Sequence, residues 1–427
     1  MVVAAEGTMV PGGYRARVVD TELERGLNAA GFVVLEGPRA CGKTWTGLRF
    51  ARSAVRLDVD VDARVVGSVE PSVLLTGERP RLIDEWQVVP SVWNHTRHAC
   101  DSDTGRGLFI LAGSAQPSDD ITRHTGAGRM RRIRMRPMSL FESGDSSGEV
   151  SLSGLLEGRS FSTARPEAAL GDVVALLCRG GWPGQLGLPL LEVQQNLRDY
   201  LVETTRVDIG RLHGNAAHDP FSVEKLLRSV ARNSASAVRN ATLAADVEPG
   251  SLHRHTVRSY LHALRRLFIV EEQPAWPVSL RSRAPLRKTP KLHYVDPSLA
   301  VAALSAGPDR LMSDTSTLGL LLESLVVRDL RILSQPLGGR VFHLRDATGF
   351  EVDAIIEYPD GRWMAIEVKL GGTEAVDTAA ASLLHLKHKT TTARLNQLAA
   401  LVVVTAVGYS YTRPDGVVVT PVTALGP

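Results

Sequence analysis

Cysteine is scarce: Cys41, Cys100 and Cys178 are the only three in 427 residues. An odd number without metal-ligand spacing excludes a disulfide framework and a zinc cage, and fits reduced thiols in the cytoplasm. Long apolar runs are missing too. No stretch of about 18 uncharged apolar residues exists, so the sequence predicts no membrane span. The opening residues MVVAAEGTMVPGGYRAR have no basic region ahead of an apolar core, so no secretory signal is expected. One-sided charge is likewise absent. The 49 Lys and Arg against 46 Asp and Glu leave a net +3, which argues neither for nor against nucleic acid. Basic residues do cluster, with five arginines at 129–136 (RMRRIRMR) and three arginines and a lysine at 280–288 (LRSRAPLRK). A solvated basic face is the commoner origin of such a cluster. At 44% hydrophobic and 22% charged residues the composition is that of a globular protein. The length calls for two to four domains.

What is present is concentrated in residues 31–51, GFVVLEGPRACGKTWTGLRFA. The middle, Gly37-Pro38-Arg39-Ala40-Cys41-Gly42-Lys43-Thr44, is a complete G-x-x-x-x-G-K-[ST] phosphate-binding loop. Residues 32–35 read as a buried strand before it, and Trp45 onward as a helix after it. Gly37 and Gly42 let backbone N–H groups close around phosphates, and the helix N-terminus favours negative charge. Lys43 would reach the β- and γ-phosphates of ATP, and the Thr44 hydroxyl would ligate Mg²⁺. Cys41 is a filler position within the loop.

Around this unit, Thr21 and Glu24 resemble a capping box that opens a short helix. Residues 55–61 (VRLDVDV) alternate as a second strand would. Residues 81–85 read as the end of a further strand, with Asp84 holding the Mg²⁺ shell and Glu85 polarising the attacking water as general base. Residues 108–112 (LFILA) form another buried run ending at Ser114, a candidate γ-phosphate sensor; a serine opening a turn is the plain alternative.

GPRACGKT, LIDEWQ, the Gly113-Ser114 strand end, GAGRM and RPMSLFE follow in that order. Together they resemble a prokaryotic AAA-type, STAND-related ATPase family whose members carry a C-terminal domain of uncharacterised function. The resemblance continues through Gly180-Gly-Trp-Pro183 and Asp208-Ile209. Departures are Ala40-Cys41 in the loop, Trp86 for an aliphatic residue, and Ala115 after Ser114; none removes a phosphate or metal ligand. The resemblance implies for Arg129 the place of an arginine finger, in cis or across a subunit boundary, with a structural salt bridge as the alternative.

Residues 142–170 are Ser- and Gly-rich and read as a loop or weakly ordered lid connection. Helical periodicity returns over 170–210. Residues 221–233, 240–247 and 251–270 read as three helices before an apolar strand and a Pro-rich turn, the pattern of a winged helix-turn-helix. In that reading Ser251, His253, Arg254, His255, Thr256 and Arg258 face a DNA groove; a packing module is the alternative.

The C-terminal part begins with an apolar helix carrying Glu323, followed by a strand near 341–344 and then FEVDAIIE, PDG and WMAIEVK. A three-residue Pro-Asp-Gly loop pairs Tyr358 with Arg362, and counting back places Asp353 opposite Glu367. Asp353, Glu367 and Lys369 then share one face, the D…ExK arrangement of the PD-(D/E)xK nuclease-like fold. Asp353 and Glu367, with Glu323 as a further ligand, would bind a divalent metal, and Lys369 would stabilise the attacking hydroxide.

The sequence therefore predicts an α/β protein in four parts. These are a P-loop (AAA-like) ATPase domain over 1–145, a helical lid or connector over 146–215, a winged-helix module over 216–290 and a nuclease-like α/β domain over 291–427. Its function is that of an ATP- and Mg²⁺-dependent molecular switch acting on nucleic acid, in mobile-element, toxin–antitoxin or defence settings. The rival is a signalling or scaffold ATPase whose C-terminal domains bind protein and cleave nothing. Duplex DNA, a partner protein and a second copy of the chain are the partners these readings admit.

Overall fold

The computed structural model describes residues 9, 12–115, 126–162, 168–209, 219–247, 254–277, 288–346 and 348–427. They group into two compact units. The first comprises residues 1–137 with 182–184 and 266–268, and the second comprises 138–181, 185–265 and 269–427.

The first unit is a five-stranded parallel sheet. Its strands are β1 (Phe32–Glu36), β2 (Ser53–Arg56), β3 (Arg81–Asp84), β4 (Phe109–Gly113) and β5 (Met130–Arg134), in the order β2-β3-β4-β1-β5. β1 is buried at every position, as a central parallel strand covered on both faces must be. Its side chains alternate between two cores: Phe32 and Val34 join Trp86 and Trp93, while Val33 and Leu35 join Leu23, Leu27 and Ala51.

Two local expectations fail here. Residues 55–61 alternate like a strand, yet β2 stops at Arg56. Asp60 instead caps helix Val61–Val69 by accepting from the Ala63 N–H at 2.8 Å. The first helix is Asp20–Ala29, and Thr21 lies inside it with no capping box. Its end is held by Asp20, whose carboxylate accepts from the Arg17 N–H (3.0 Å) and the Tyr14 hydroxyl (2.6 Å). Asp60 caps its helix through its side chain, whereas Asp20 is the first residue of its helix and braces the segment before it.

The second unit begins with the Ser/Gly-rich stretch, whose described residues include short capped helices. Ser139 and Glu142 form a capping box on helix Leu140–Ser143, and Ser151 caps helix Leu152–Leu156. Strand β6 (Val150–Ser151) pairs in parallel with the C-terminal β15 (Leu425–Gly426). Serine here supplies caps, which composition alone does not distinguish from loop. Helices Leu170–Arg179, Leu190–Glu203, Pro220–Arg232, Asn240–Val247 and Arg254–Arg266 follow, then an antiparallel ribbon of β7 (Val270–Gln273) and β8 (Lys291–Tyr294). The helix expected over 251–270 thus ends at Arg266, and Val270 opens β7. Ser251 and His253 lie outside the described residues.

Beyond helices Pro297–Ala303, Pro308–Ser313 and Thr315–Ser334 stands a six-stranded mixed sheet of order β13-β14-β12-β11-β10-β9. Its strands are β9 (Arg340–Arg345), β10 (Glu351–Glu357), β11 (Trp363–Lys369), β12 (Leu398–Thr405), β13 (Tyr411–Thr412) and β14 (Val418–Pro421). One face packs Val352, Ile355, Trp363 and Ala365 against Val376, Ala380 and Leu383 of helix Thr373–Lys389. Charge is also buried here. Arg328 binds Asp296 (2.8 Å) and Asp329 (2.7 Å), and those carboxylates accept from the N–H groups of Gly181 and Leu140, each at 3.0 Å. Among the described residues no helix is long and apolar enough to cross a membrane.

Candidate functional site: the phosphate loop and its acidic strand

The expected loop joins β1 to helix Lys43–Phe50. Gly42 caps that helix at φ +102°, a left-handed backbone that favours glycine. Gly37 is fixed for another reason: a Cβ there would stand 2.0 Å from the Met135 carbonyl oxygen just beyond β5. Close backbone approach therefore demands glycine at Gly37, ahead of any need to admit phosphate. Ala40 also adopts a positive φ of 60°. Arg17, which the sequence reading passed over, braces the loop. Its guanidinium donates to the carbonyls of Cys41 (2.9 Å) and Arg136 (2.8 Å), and the residue is buried. Only its place before an aspartate-headed helix could have flagged it. Trp45 is exposed at 46% on the first turn of the helix, with Pro38 and Arg39 in the loop ahead of it.

Lys43 is buried, and its Nζ donates to the Pro38 carbonyl at 2.7 Å, so the ammonium is held over the loop. The Thr44 hydroxyl donates to Asp84 Oδ2 at 2.8 Å, which joins the loop to the end of β3. The other Asp84 oxygen, Oδ1, is buried and has no hydrogen-bond partner. Burial pushes the Asp84 carboxyl up to about 6, against the pull of the Thr44 hydrogen bond. A hydroxyl and a buried carboxylate with one oxygen unengaged are the donor set that Mg²⁺ takes, so Thr44 and Asp84 fit that ion.

Glu85 follows in a left-handed conformation, φ +53° and ψ +43°, unusual for a residue with a Cβ and costing about 1 kcal/mol or more. In this position its Oε2 accepts from Ser114 Oγ at 2.8 Å and from Gln87 Nε2, and Gln87 Nε2 also reaches Ser114 Oγ at 3.2 Å. Glu85 and Ser114 are thus brought together from adjacent strands β3 and β4. Gln87 is a third member that the reading of LIDEWQ left without a role.

Arg129 is placed elsewhere. Its backbone carbonyl accepts from the Phe32 N–H, at the start of β1, whereas the loop leaves from the end of β1. Five residues of parallel strand separate the two ends by roughly 13 Å. Arg129 pairs with Asp101 and donates to the Ala127 carbonyl at 3.2 Å. A finger role for Arg129 toward its own loop is therefore excluded. The neighbouring arginines are explained by pairing: Arg132 (2.5 Å) and Arg134 (3.2 Å) clamp Glu36 at the end of β1.

In the second unit, β10 and β11 pair with Ala354 opposite Ile366 and Glu357 opposite Trp363, the register counted from the Pro-Asp-Gly loop. Continued by one residue, it sets Asp353 across from Glu367. Lysines stand between the carboxylates. Lys369 Nζ lies 2.8 Å from Glu367 and 3.7 Å from Asp353; buried Lys291, from β8, lies 2.8 Å from Glu323, 2.9 Å from Glu351 and 3.9 Å from Asp353. Asp353 also accepts from the Val368 N–H at 2.8 Å, and Ser382 donates to Glu367 at 3.1 Å. Among the described residues no three His, Cys, Asp or Glu side chains converge as a metal cage requires. Lys369, as expected, and Lys291, which was not, engage the acids Glu323, Asp353 and Glu367 on which a divalent cation is expected. Burial drives the Glu323 carboxyl up to about 8 and that of Glu367 up to about 7.

Arg254 and Arg258 stand exposed on the opening turns of helix Arg254–Arg266, whose opposite face buries Val257, Leu261 and Leu264.

Residues 30–143 match the family model of an AAA domain. Residues 170–310 and 318–425 match two domains of unknown function, DUF8612 and DUF4143. The uncharacterized proteins Rv2008c of Mycobacterium tuberculosis and Mb2031c of Mycobacterium bovis are each 23% identical over 367 residues, covering 85% of this chain and 75% of theirs. Among solved structures, the Walker-type ATPase PABY2304 of Pyrococcus abyssi aligns at TM-score 0.43 and 13% identity, over 70% of this chain and 98% of that one. The replication initiator DnaA bound to AMPPCP and single-stranded DNA aligns at TM-score 0.28 and 13% identity, over 61% and 91%. At these scores neither likeness bears on the chemistry.

Proposed function

We propose that this chain, whose residues 30–143 form an ATPase-like P-loop domain, binds Mg²⁺-ATP and hydrolyses it to drive a molecular switch acting on nucleic acid. The observation that carries the nucleotide part is the contact of Thr44 with Asp84 at 2.8 Å, which leaves Asp84 Oδ1 buried without a partner beside the loop lysine. Lys43 leaves the Pro38 carbonyl for the terminal phosphates, exchanging a neutral acceptor for a charged one. Thr44 and Asp84 would hold Mg²⁺, which would supply charge neutralisation for the phosphoryl group in transfer. Glu85 accepts the proton of the attacking water, and Ser114 and Gln87 keep its carboxylate aimed. Arg17 holds the loop in shape throughout.

The nucleic-acid part rests on Arg254 and Arg258, two exposed arginines four residues apart on one helix face. For the C-terminal sheet, the lysine-bridged acids favour a role that cleaves nothing. The D…ExK residues of β10 and β11 then act as a charge-balanced core beneath a binding surface. Calorimetry and phosphate release test the nucleotide reading. Wild-type chain should bind Mg²⁺-ATP and release phosphate, and Lys43→Ala should lose both. Unchanged ATP affinity in Lys43→Ala would overturn it.

A further inference from the structure

The second unit contains a cleft of about 500 Å³ between helix Pro220–Arg232 and the segment around helix Pro308–Ser313. One wall carries Lys225, Arg228 and Arg232, whose spacing of three and four residues puts them on a single helix face. Arg310 comes from the other wall. Four basic residues thus line one cleft.

Among the described residues two carboxylates also line the cleft, and both are engaged by neighbouring donors. Asp246 accepts from Ser229 Oγ (3.0 Å) and Asn233 Nδ2 (2.9 Å), while Asp314 caps the next helix through the Thr317 N–H (3.0 Å) and hydroxyl (2.7 Å). Among the described residues no carboxylate lies within ion-pair distance of Arg228, Arg232 or Arg310. Lys225 Nζ lies over the Phe221 ring, 4.7 Å from its centroid. An anion seated between the walls would meet cations from both sides.

We propose that this cleft is a second anion site, which binds a compact polyphosphate of nucleotide size independently of the phosphate loop. The volume falls in the range of small-molecule pockets, roughly 300–1,000 Å³. Cations drawn from two walls around one point suit phosphates bunched in a single molecule, whereas a nucleic-acid strand spreads its phosphates along a surface track. Among the described residues that line the cleft none is aromatic, and single strands are held largely by stacking on aromatic rings. Recognition therefore runs through phosphate, and both a free polyphosphate and a nucleoside polyphosphate present that chemistry.

The test uses full-length chain carrying Lys43→Ala, so that the phosphate loop contributes nothing. Inorganic tripolyphosphate is titrated calorimetrically at low salt, alongside ATP and a dodecamer of thymidylate. Tripolyphosphate should bind one site per chain with an affinity that falls as salt rises. Arg228→Gln, Arg232→Gln and Arg310→Gln combined should weaken it at least about a hundredfold, since each removes a charge-assisted hydrogen bond. Arg310→Glu alone, at an exposed position, should abolish it. Equal affinity for ATP would identify phosphate as the whole determinant, and tighter ATP binding would identify a nucleoside polyphosphate as the ligand. The proposal fails if the Lys43→Ala chain binds no tripolyphosphate, if the arginine variants bind as tightly as their parent, or if the thymidylate strand binds more tightly than tripolyphosphate. Because the loop is silenced throughout, failure here leaves the ATPase reading untouched.

Discussion

Glu85 and Asp84 are neighbours in sequence but occupy different chemical roles, and the backbone separates them. Asp84 ends β3, buried against Thr44, whereas the positive φ of Glu85 directs its carboxylate to Ser114 and Gln87. Glu85→Gln keeps the side chain's shape and its contact with Ser114 while removing the base. ATP affinity should stay at the wild-type value and phosphate release should fall by roughly 100- to 10,000-fold, read by calorimetry and a steady-state assay. Glu323 offers a second test at this scale. Its carboxyl is raised from 4.5 to about 8 by burial, with Asp353 adding to the effect. The folded chain therefore holds a proton that the unfolded chain has released across that interval, so this group's contribution to stability falls as pH rises from about 4.5 to 8. Glu323→Gln mimics the protonated form. Its melting temperature should gain on wild type between about pH 5 and pH 8.5, and a constant gap would mean that Glu323 is ionised throughout.

At the scale of elements, helix Arg254–Arg266 turns Val257, Leu261 and Leu264 inward and leaves Arg254 and Arg258 outward. If that outward face meets phosphates, replacing both arginines by alanine should lower duplex DNA affinity. It should also reduce the slope of log affinity against log salt by about two. Unchanged slope and affinity would leave the helix as packing only. Elements were the most legible part of this sequence. β1 and β4 read as buried runs because a parallel sheet covered on both faces admits no polar alternation, and the hairpin register followed from a three-residue loop. Capping was less legible. Asp60 and Ser151 each start a helix where alternation or serine content suggested something else, since one side-chain hydrogen bond can outweigh a local pattern. The phosphate loop and acidic strand end were legible as motifs. Their long-range partners were not. Arg17 reaches the loop from outside the motif, Arg129 is set at the far end of its strand by strand pairing, and Lys291 reaches the acids from a strand more than 50 residues before Asp353 by the numbering.

Across the second unit, the buried Arg328 is held by Asp296 and Asp329, which also accept from the backbone N–H groups of Gly181 and Leu140. Arg328→Ala would leave two buried carboxylates without their cation and should destabilise the unit by about 3–5 kcal/mol, measured by chemical denaturation. A loss under about 1 kcal/mol would show that water reaches the site. The same contacts determine where this chain can be cut. Ser139 to Ser151 supply an edge strand for β15 and a donor to Asp329, so the final 137 residues (291–427) are not a self-sufficient piece, although they contain the whole six-stranded sheet. Severed there, the C-terminal fragment exposes an unpaired strand and a half-satisfied ion cluster. The missing partner is the peptide around 138–181. Two such fragments made separately should therefore find each other and recombine, and a protease that nicks the chain need not release its two ends.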